Sequence, residues 1–398
     1  MQQSLYPILK LKPGKEQSVQ RYHPWVFSGA LASDTSGLTE GALVKVLDSR
    51  GKFLAIGHFQ IGSIALRLLT FQEEEVNREF WKQKLRLALD LRQQLGFLNR
   101  EDHNTFRWVH GEGDGMPGLI VDVYDRTLVM QSHSVGFWHI REMIAELLVE
   151  LFPREVAAVF DKSAHTVPYK AGLNAKDEFL IGSESEVQAL EYGDQYQIDL
   201  VEGQKTGFFL DQRENRALLA RYATGRDVLN TFCYTGGFSV AALRGGAQKV
   251  VSVDSSERAV ELTRRNVEMN FGAGEVPHEA HKADVFSFIK NIYHEYDLIV
   301  LDPPSFGKHR KVLAQALKGY RSLNQRAFEQ IRPGGILFTF SCSQPVTKDD
   351  FRRAVFTAAA IARRKVRILH QLTQPADHPI NIYHPEGEYL KGLVLAVE

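Results

Sequence analysis

Two side chains capable of covalent or acid–base chemistry follow apolar segments in the C-terminal half of the sequence. Asp302 comes directly after the apolar residues 298–301, and Cys342 comes after residues 336–340, within Ser341-Cys342-Ser343. We predict both segments to be buried strands, because they are short, apolar and bounded by Gly or Pro. Ligands of open α/β sheets bind beyond the carboxyl ends of the strands. The thiol and the carboxylate are therefore expected to face one substrate.

A thiol and a carboxylate at one sheet edge suit methylation of a pyrimidine carbon. Carbon 5 of cytosine is a poor nucleophile until a thiolate adds to carbon 6, after which the ring attacks a methyl sulfonium. Asp302 would hydrogen-bond ring N3 and the amino edge of a base that has left its stack. The other interpretation of Cys342 is a buried small hydrophobe. It is disfavoured because two serines flank the cysteine at a strand end.

Two rival functions use the same residues differently. The run Asp302-Pro303-Pro304-Ser305-Phe306 is also typical of enzymes that methylate an exocyclic amine, here of adenine or guanine in RNA, and Cys342 would then be structural. A non-catalytic RNA-binding module is the other alternative, and the intact Asp254, Asp284 and Asp302 disfavour it. The second cysteine, Cys233, is predicted to be structural.

A cofactor site is predicted near the start of the C-terminal region. The turn Tyr234-Thr235-Gly236-Gly237 follows a strand and opens a helix, and its glycines permit close approach of a ligand. Asp254 ends the next strand about twenty residues later, where a carboxylate binds ribose hydroxyls. Asp284 ends a third strand and is expected to accept from an adenine amino group. The predicted cofactor residues in and after these strands are Asn230, Phe232, Tyr234, Thr235, Gly236, Asp254, Ser255, Asp284, Val285, Asp302 and Pro303.

The identity of the cofactor follows from what the glycine turn omits. The turn lacks the G-x-G-x-x-G set that holds the phosphates of a nicotinamide cofactor. S-adenosylmethionine carries no phosphate and needs no such set, so we favour it over NAD. An ordinary glycine turn with surface acids is the alternative. We assign no metal ligands from the sequence.

The order of predicted elements indicates three regions in a multidomain α/β protein. Residues 1–72 contain close-spaced strands with glycine turns, typical of a small β-barrel. Residues 73–188 give a helix and then a strand–strand–helix–strand α+β region. Residues 189–398 are the third region. From about residue 228 onward they alternate between strands and helices, which implies a parallel sheet that ends in an antiparallel strand pair. Predicted helices span 80–95, 137–152 and 256–270, the last capped by Ser255.

Composition limits the function classes without choosing a partner. Lys and Arg number 48, as do Asp and Glu, so net charge neither supports nor excludes nucleic-acid binding. Two cysteines exclude a disulfide framework. The N-terminal residues lack the pattern of a signal peptide, and no apolar run is long enough for a membrane span. We therefore predict a cytoplasmic protein without a membrane partner.

Five motifs together resemble a known family, the PUA-domain-containing S-adenosylmethionine-dependent methyltransferases that form 5-methylcytosine in large-subunit ribosomal RNA. The resemblance covers almost the whole chain. The motifs occupy residues 23–30 (HPWVFSGA), 113–122 (GDGMPGLIVD), 205–216 (KTGFFLDQRENR), 302–306 (DPPSF) and 341–343 (SCS).

The resemblance implies a fold and roles for particular residues. It implies an N-terminal PUA-like barrel, a middle α+β domain and a C-terminal Rossmann-like class I methyltransferase domain. It implies RNA as partner, with ribosomal RNA as the finer expectation, and Cys342 as nucleophile. It also places Asp211, Gln212 and Arg213 beside the methionine part of the cofactor. The oligomeric state is left undecided, with a homodimer among the alternatives.

One departure from many RNA cytosine methyltransferases concerns product release. Those enzymes carry a second cysteine where this chain has residues 302–305, so release needs another base or water. Lys308 and His309 are nearby candidates, although a solvated basic loop is the favoured interpretation of both. In the first domain, plausible phosphate contacts are Arg21, Lys45, Lys52 and Arg67.

Overall fold

The computed structural model describes residues 5–168, 172–184, 187–307 and 309–398. These residues divide into two compact units. The first unit comprises Met1–Ala189, Ile198–Phe208 and Ala376–Gly387. The second comprises Leu190–Gln197, Phe209–Pro375 and Glu388–Glu398. The predicted domain boundaries after residues 72 and 188 stay a prediction, because two segments from later in the chain also belong to the first unit.

The first unit begins with a five-stranded mixed sheet of order β1-β3-β4-β5-β2, in which β1 and β3 are parallel. Buried apolar residues of these strands and their flanks form one core that includes Leu11, Val46 and Leu66. The elements are β1 (Ile8–Lys10), α1 (Gln17–Gln20), β2 (Trp25–Phe27), β3 (Leu43–Leu47), β4 (Phe53–Phe59) and β5 (Ile64–Thr70).

A second five-stranded sheet follows in the same unit, with the order β10-β9-β8-β7-β6. The predicted strand pair at residues 119–131 is confirmed, but β6 and β10 were not predicted. The single helix predicted over residues 137–152 is two helices that meet at Ile140. The elements are α2 (Arg78–Gln94), β6 (Thr105–His110), β7 (Leu119–Tyr124), β8 (Thr127–Ser132), α3 (Val135–His139), α4 (Arg141–Leu151), β9 (Ala158–Asp161) and β10 (Glu178–Gly182).

The remaining elements form a hairpin and a seven-stranded sheet. The hairpin is β11 (Val187–Glu191) and β12 (Asp194–Ile198). The others are α5 (Arg213–Ala223), β13 (Asp227–Thr231), α6 (Gly237–Arg244), β14 (Lys249–Asp254), α7 (Glu257–Phe271), β15 (His278–Lys282), α8 (Val285–Phe288), β16 (Leu298–Leu301), α9 (Leu313–Gln330), β17 (Gly335–Ser341), α10 (Lys348–Ile361), β18 (Val366–Leu372) and β19 (Lys391–Val397).

The seven-stranded sheet has the order β15-β14-β13-β16-β17-β19-β18. Strand β19 runs antiparallel to β17 and β18, and the other neighbouring strands are parallel. Strands β13, β16 and β17 are buried along their length, as parallel strands covered on both faces require. The sheet confirms the predicted strand–helix alternation and the final antiparallel pair. One detail was wrong: α7 is capped by Ser256, whose hydroxyl accepts from the Ala259 amide, and not by Ser255.

Candidate active site

Four parallel strands end on one edge of the seven-stranded sheet, and the predicted site residues follow those ends. The register pairs Thr231 of β13 with Val253 of β14 and with Leu301 of β16. Leu301 in turn pairs with Thr339 of β17. Because the strands are parallel and in register, the segments after them emerge side by side. Asp302 and Cys342 therefore lie on the same edge as the glycine turn, as predicted.

The turn after β13 is shaped by the carboxylate at the end of β14. The Tyr234 amide donates to Asp254 Oδ2 at 3.1 Å, and the Ser256 amide donates to Asp254 Oδ1 at 2.9 Å. Phe232 and Tyr234 both adopt positive φ, at 55° and 47°. Asp254 therefore stabilises the turn as well as ending the strand.

Gly236 is required by the packing of a helix against the turn, while the predicted approach of a ligand stays a prediction. Its φ is +76°, a conformation that L residues rarely adopt. A Cβ on Gly236 would lie 2.7 Å from Thr263 Cγ2 of α7, and the Thr235 side chain is buried nearby in the chain. The glycine therefore permits the close approach of a helix, where the sequence analysis expected the approach of a ligand.

Asn230, in β13 just before this turn, carries a buried hydrogen-bond acceptor. Its Nδ2 donates to Ser239 Oγ at 2.8 Å, while its Oδ1 is buried and has no hydrogen-bond partner among the described residues. An unpaired buried acceptor costs about 1–3 kcal/mol, so a bound amine or hydroxyl would stabilise the site. Together with the Asp254 carboxylate, this acceptor fits a cofactor whose ribose hydroxyls and ammonium group are donors.

Three other predicted cofactor residues differ in exposure. Asp284 is exposed and caps α8, since its Oδ1 accepts from the Ser287 amide at 2.9 Å and the Ser287 hydroxyl at 2.7 Å. Val285 is buried beside it, and Ser255 is exposed after β14. Contact of Asp284 with an adenine amino group stays a prediction, and it would have to use the second carboxylate oxygen.

Asp211 and Gln212, which precede α5 and are predicted to lie beside the cofactor, form hydrogen bonds with Tyr389 and Asp302. Gln212 Nε2 donates to Asp302 Oδ2 at 3.0 Å, and Asn215 Nδ2 donates to Gln212 Oε1 at 2.6 Å. The Tyr389 hydroxyl donates to Asp211 Oδ2 at 2.8 Å. Gln212 therefore orients the carboxylate predicted to face the substrate base.

Arg213 and Pro303 complete the predicted set. Arg213 is fully buried at the start of α5, and Pro303 is buried directly after Asp302. They follow Gln212 and Asp302 in the chain, the two partners of the hydrogen bond described above.

Cys342 is partly exposed, while the serines on both sides of it are buried. Ser343 Oγ lies 2.8 Å from the Tyr320 hydroxyl and 2.9 Å from Ser305 Oγ. Ser305 Oγ also donates to the Gly307 carbonyl at 2.9 Å. Ser343 therefore fixes the cysteine segment against the segment that follows Asp302.

Lys391, which was not predicted as a site residue, lies beside the segment that contains Cys342. It is only 3% exposed, and its Nζ donates to the carbonyls of Ser343 and Tyr389, each at 2.7 Å. Burial lowers the pKa of Lys391 to about 8, against the opposing effects of Cys342 and Glu388. The available signal was a lysine at the start of the otherwise apolar strand β19.

Cys233 has the opposite surroundings. It is buried, the Thr263 hydroxyl donates to its Sγ at 3.4 Å, and burial raises its pKa to about 12. A thiol with this pKa holds almost no thiolate at neutral pH. These observations favour the structural role predicted for Cys233.

The basic residues predicted for RNA contact differ in accessibility. Arg21 and Lys52 are exposed, and Lys45 pairs with Glu73. Arg67 does not fit the prediction, because its side chain is 12% exposed and its Nη1 lies 3.1 Å from Glu112 Oε1. His309 is exposed, whereas Lys308 lies outside the described residues.

Comparison with known proteins agrees with this architecture. Residues 163–384 match the family model of S-adenosylmethionine-dependent methyltransferases, and residues 9–71 match that of a PUA-like domain. The chain is 23% identical to a proposed SAM-dependent methyltransferase from Streptococcus mutans, with a TM-score of 0.83 over 98% of this chain and 100% of that one. The fold and site thus define a SAM-dependent methyltransferase with an N-terminal PUA-like domain.

Relatives named ribosomal RNA large subunit methyltransferase I extend over the full length. The protein from Tolumonas auensis is 40% identical over 97% of this chain and 98% of its own length. The protein from Klebsiella pneumoniae (strain 342) is 37% identical over all of both chains. The chain belongs to the ribosomal RNA large subunit methyltransferase I family. Within the described ranges, no helix has the length and apolar character needed to cross a membrane.

Proposed function

We propose that this protein forms 5-methylcytosine in large-subunit ribosomal RNA, with S-adenosylmethionine as methyl donor and Cys342 as nucleophile. The observation that carries the proposal is the partly exposed Cys342 at the end of β17, on the same sheet edge as Asp302. The RNA substrate is supported by the PUA-like domain and by the names of the full-length relatives.

The proposed reaction assigns one bond change to each step. The Cys342 thiolate forms a bond to carbon 6, and the electron pair of the carbon 5–carbon 6 double bond becomes available at carbon 5. Asp302, held by Gln212, hydrogen-bonds N3 and the amino edge, which fixes the ring in its pocket. When bound, S-adenosylmethionine would supply an electrophilic methyl group: carbon 5 gains the methyl as its bond to the cofactor sulfur breaks, and the neutral thioether S-adenosylhomocysteine is the leaving group. Asn230 and Asp254 are the residues that would hold the cofactor.

Product release requires a base, and Lys391 is the group best placed to supply it. Loss of the proton from carbon 5 returns an electron pair to the ring and expels the Cys342 thiolate. A neutral amine that donates two hydrogen bonds, to Ser343 and Tyr389, retains a lone pair that can accept this proton. His309 is exposed, and burial is what makes a lysine neutral near pH 8. We therefore assign proton removal to Lys391.

Trapping the covalent intermediate tests the proposal. RNA that carries 5-fluorocytosine should form a denaturation-resistant adduct with the wild-type protein, because fluorine at carbon 5 blocks the elimination step. Cys342→Ala and Cys342→Ser should form no adduct and transfer no methyl group, while both keep their affinity for S-adenosylmethionine. The variant Cys233→Ala is the matched control and should retain activity and adduct formation.

Product analysis separates the carbon-5 reaction from its rival. Methylation by Cys342→Ala, with the product on an exocyclic amine, would replace this proposal by the amino-methylation that Asp302 and residues 303–306 suggest. Two further expectations concern the location of the protein and its oligomeric state. A cytoplasmic location follows from ribosomal RNA as substrate, and a homodimer stays a prediction for light scattering to test.

A further inference from the structure

Three side chains of types that commonly bind metals lie close together in the first unit. The proposed methyl transfer does not use them. They are His23, just before β2, and His384 and Glu386 in the segment Ala376–Gly387. One nitrogen or oxygen from each side chain lies within 4.8 Å of the others. His23 belongs to the His-Pro-Trp motif, which the proposed reaction leaves without a role.

The distances between these groups suit ligands of one ion. His23 Nε2 lies 3.6 Å and His384 Nε2 lies 3.8 Å from Glu386 Oε2. Both separations are too long for a good hydrogen bond. Ligands about 2.0–2.2 Å from a tetrahedral zinc ion are separated by roughly 3.3–3.6 Å. A small adjustment of the exposed Glu386 side chain would close the difference.

His384 provides an independent sign of a missing ligand. Its side chain is 4% exposed, and neither ring nitrogen has a hydrogen-bond partner among the described residues. Buried polar atoms are nearly always paired, and an unpaired one usually marks a water or an ion. Nε2 of His384 is also the atom that faces Glu386.

The backbone of Trp25 offers His23 both an acceptor and a donor. Nδ1 of His23 lies 3.2 Å from the Trp25 carbonyl oxygen and 3.2 Å from the Trp25 amide nitrogen, so it can donate to the first or accept from the second. Metal binding through Nε2 selects the tautomer in which Nδ1 donates its proton to the carbonyl. Metal-bound histidines usually donate the other ring N–H to a carbonyl or carboxylate, which sets the tautomer.

We propose that His23, His384 and Glu386 bind a divalent transition-metal ion, Zn²⁺ in the first instance, with water as the fourth ligand. Two imidazoles and a carboxylate are borderline to hard ligands that suit Zn²⁺, and the half-exposed Glu386 gives the ion an entry path. The ion would fasten the end of segment Ala376–Gly387 to β2.

The other end of that segment is already anchored, which suggests what the ion adds. Arg92 Nη2 donates to the Asp377 carbonyl at 2.7 Å, and the Arg107 amide donates to Asp377 Oδ2 at 2.9 Å. These bonds hold only the first residues of the segment. A metal at His384 and Glu386 would hold its last residues, so the proposed ion is structural.

The test uses the full-length, metal-stripped protein and measures binding of Zn²⁺ by calorimetry and of Co²⁺ by absorbance. The wild type should bind one ion tightly, with a Co²⁺ spectrum that lacks a thiolate charge-transfer band. The ring of Trp25 lies 4.3 Å from that of His384, so Co²⁺ should also quench its fluorescence. Each of His384→Gln, His23→Gln and Glu386→Gln should weaken Zn²⁺ binding at least tenfold.

A matched control removes a histidine that also faces a glutamate but has no third metal-binding side chain beside it among the described residues. His281 Nε2 lies 3.2 Å from Glu279 Oε2, and His281→Gln should leave the tight site unchanged. Glu386 is half exposed, so Glu386→Gln should fold normally even if a histidine variant does not. Equal Zn²⁺ affinity in wild type and Glu386→Gln, or a Co²⁺ spectrum with thiolate character, would overturn the proposal.

Discussion

The two thiols of this chain show how surroundings decide reactivity. Cys233 is buried against α7, and its pKa of about 12 keeps it protonated. Cys342 is partly exposed, and a buried lysine and the Tyr320 hydroxyl lie in the same environment. A thiol that has a lysine in its surroundings and is open to a substrate is the kind that acts as a nucleophile. The assignment of Cys342 therefore depends on its position after β17 and on Lys391.

Replacing Lys391 tests whether a buried amine removes the carbon-5 proton. We expect Lys391→Met to lower methyl transfer by at least about 100-fold, the usual scale of general-base catalysis. With unmodified RNA, the variant should accumulate the covalent Cys342 adduct, because addition and methylation still occur while elimination does not. Gel mobility under denaturing conditions would detect the adduct.

The pH dependence supplies a second measure of the same residue. Burial lowers the pKa of Lys391 to about 8, so the amine is charged below pH 8 and neutral above it. Wild-type activity should therefore rise as the pH passes through about 8, and Lys391→Met should lack this rise. Lys348 also lowers this pKa, so Lys348→Met should move the rise to higher pH without loss of the maximal rate. An unchanged profile in Lys391→Met would remove the lysine from the mechanism.

Asp254 has two roles that a pair of substitutions separates. We expect Asp254→Ala to weaken S-adenosylmethionine binding by about 10- to 150-fold, since a charge-assisted hydrogen bond contributes about 1.5–3 kcal/mol. Because the Tyr234 and Ser256 amides both donate to this carboxylate, the variant should also lose about 1 kcal/mol of stability. Asp254→Asn keeps one acceptor oxygen and should lose less stability. Calorimetric titration and thermal unfolding give the two quantities. Unchanged affinity in Asp254→Ala would exclude it from the site.

At the scale of elements, the sequence predicted what periodicity and turn residues encode. The strands β13, β14, β16 and β17 were predicted because short apolar runs end in Gly, Pro or acidic residues. The break at Ile140 was missed because the apolar pattern continues across both helices. Lys391 and Tyr320 were missed because their contact with the cysteine segment depends on pairing between distant parts of the chain.

The hairpin β11–β12 is held to α5 by a buried ion pair. Arg216 donates to both carboxylate oxygens of Glu191, at 2.7 and 2.6 Å, and both side chains are 4% exposed. Burial acts to lower the pKa of Arg216, but the Glu191 carboxylate raises it above its ordinary value. A Cβ on Gly237 would lie 2.9 Å from Arg216 Cδ, so the Arg216 side chain also packs closely against the start of α6.

Removing one partner of this pair should be costly. We expect Glu191→Ala to lower the free energy of unfolding by about 3–5 kcal/mol, because it leaves a buried guanidinium without its counter-charge. Asp194 in the same hairpin pairs with the more exposed Arg244, at 2.7 Å. Asp194→Ala should therefore cost about 1 kcal/mol or less. Urea denaturation followed by circular dichroism would compare them, and similar losses in both variants would contradict the structural role of the Glu191 pair.

At the scale of the whole molecule, charge is balanced and its effects must be local. With 48 basic and 48 acidic residues, the protein has no net charge to attract a polyanion over long distances. Binding of RNA therefore needs particular exposed cations. Of the four cations predicted to contact RNA in the first domain, Arg67 is paired inside the unit and Lys45 is paired with Glu73, which leaves the exposed Arg21 and Lys52.

The salt dependence of RNA binding tests these two cations in the intact chain. Each phosphate contact on a single strand contributes about 0.7 to the slope of log affinity against log salt concentration. If Arg21 and Lys52 both contact phosphates, the double variant Arg21→Gln/Lys52→Gln should bind RNA more weakly and reduce that slope by about 1.4. The control Arg126→Gln/Lys249→Gln removes equal charge from cations paired with Glu155 and Glu279, and it should change the slope little. Fluorescence anisotropy across a range of KCl concentrations gives both slopes. Equal slopes in the two double variants would mean that the N-terminal sheet does not bind the RNA backbone through these residues.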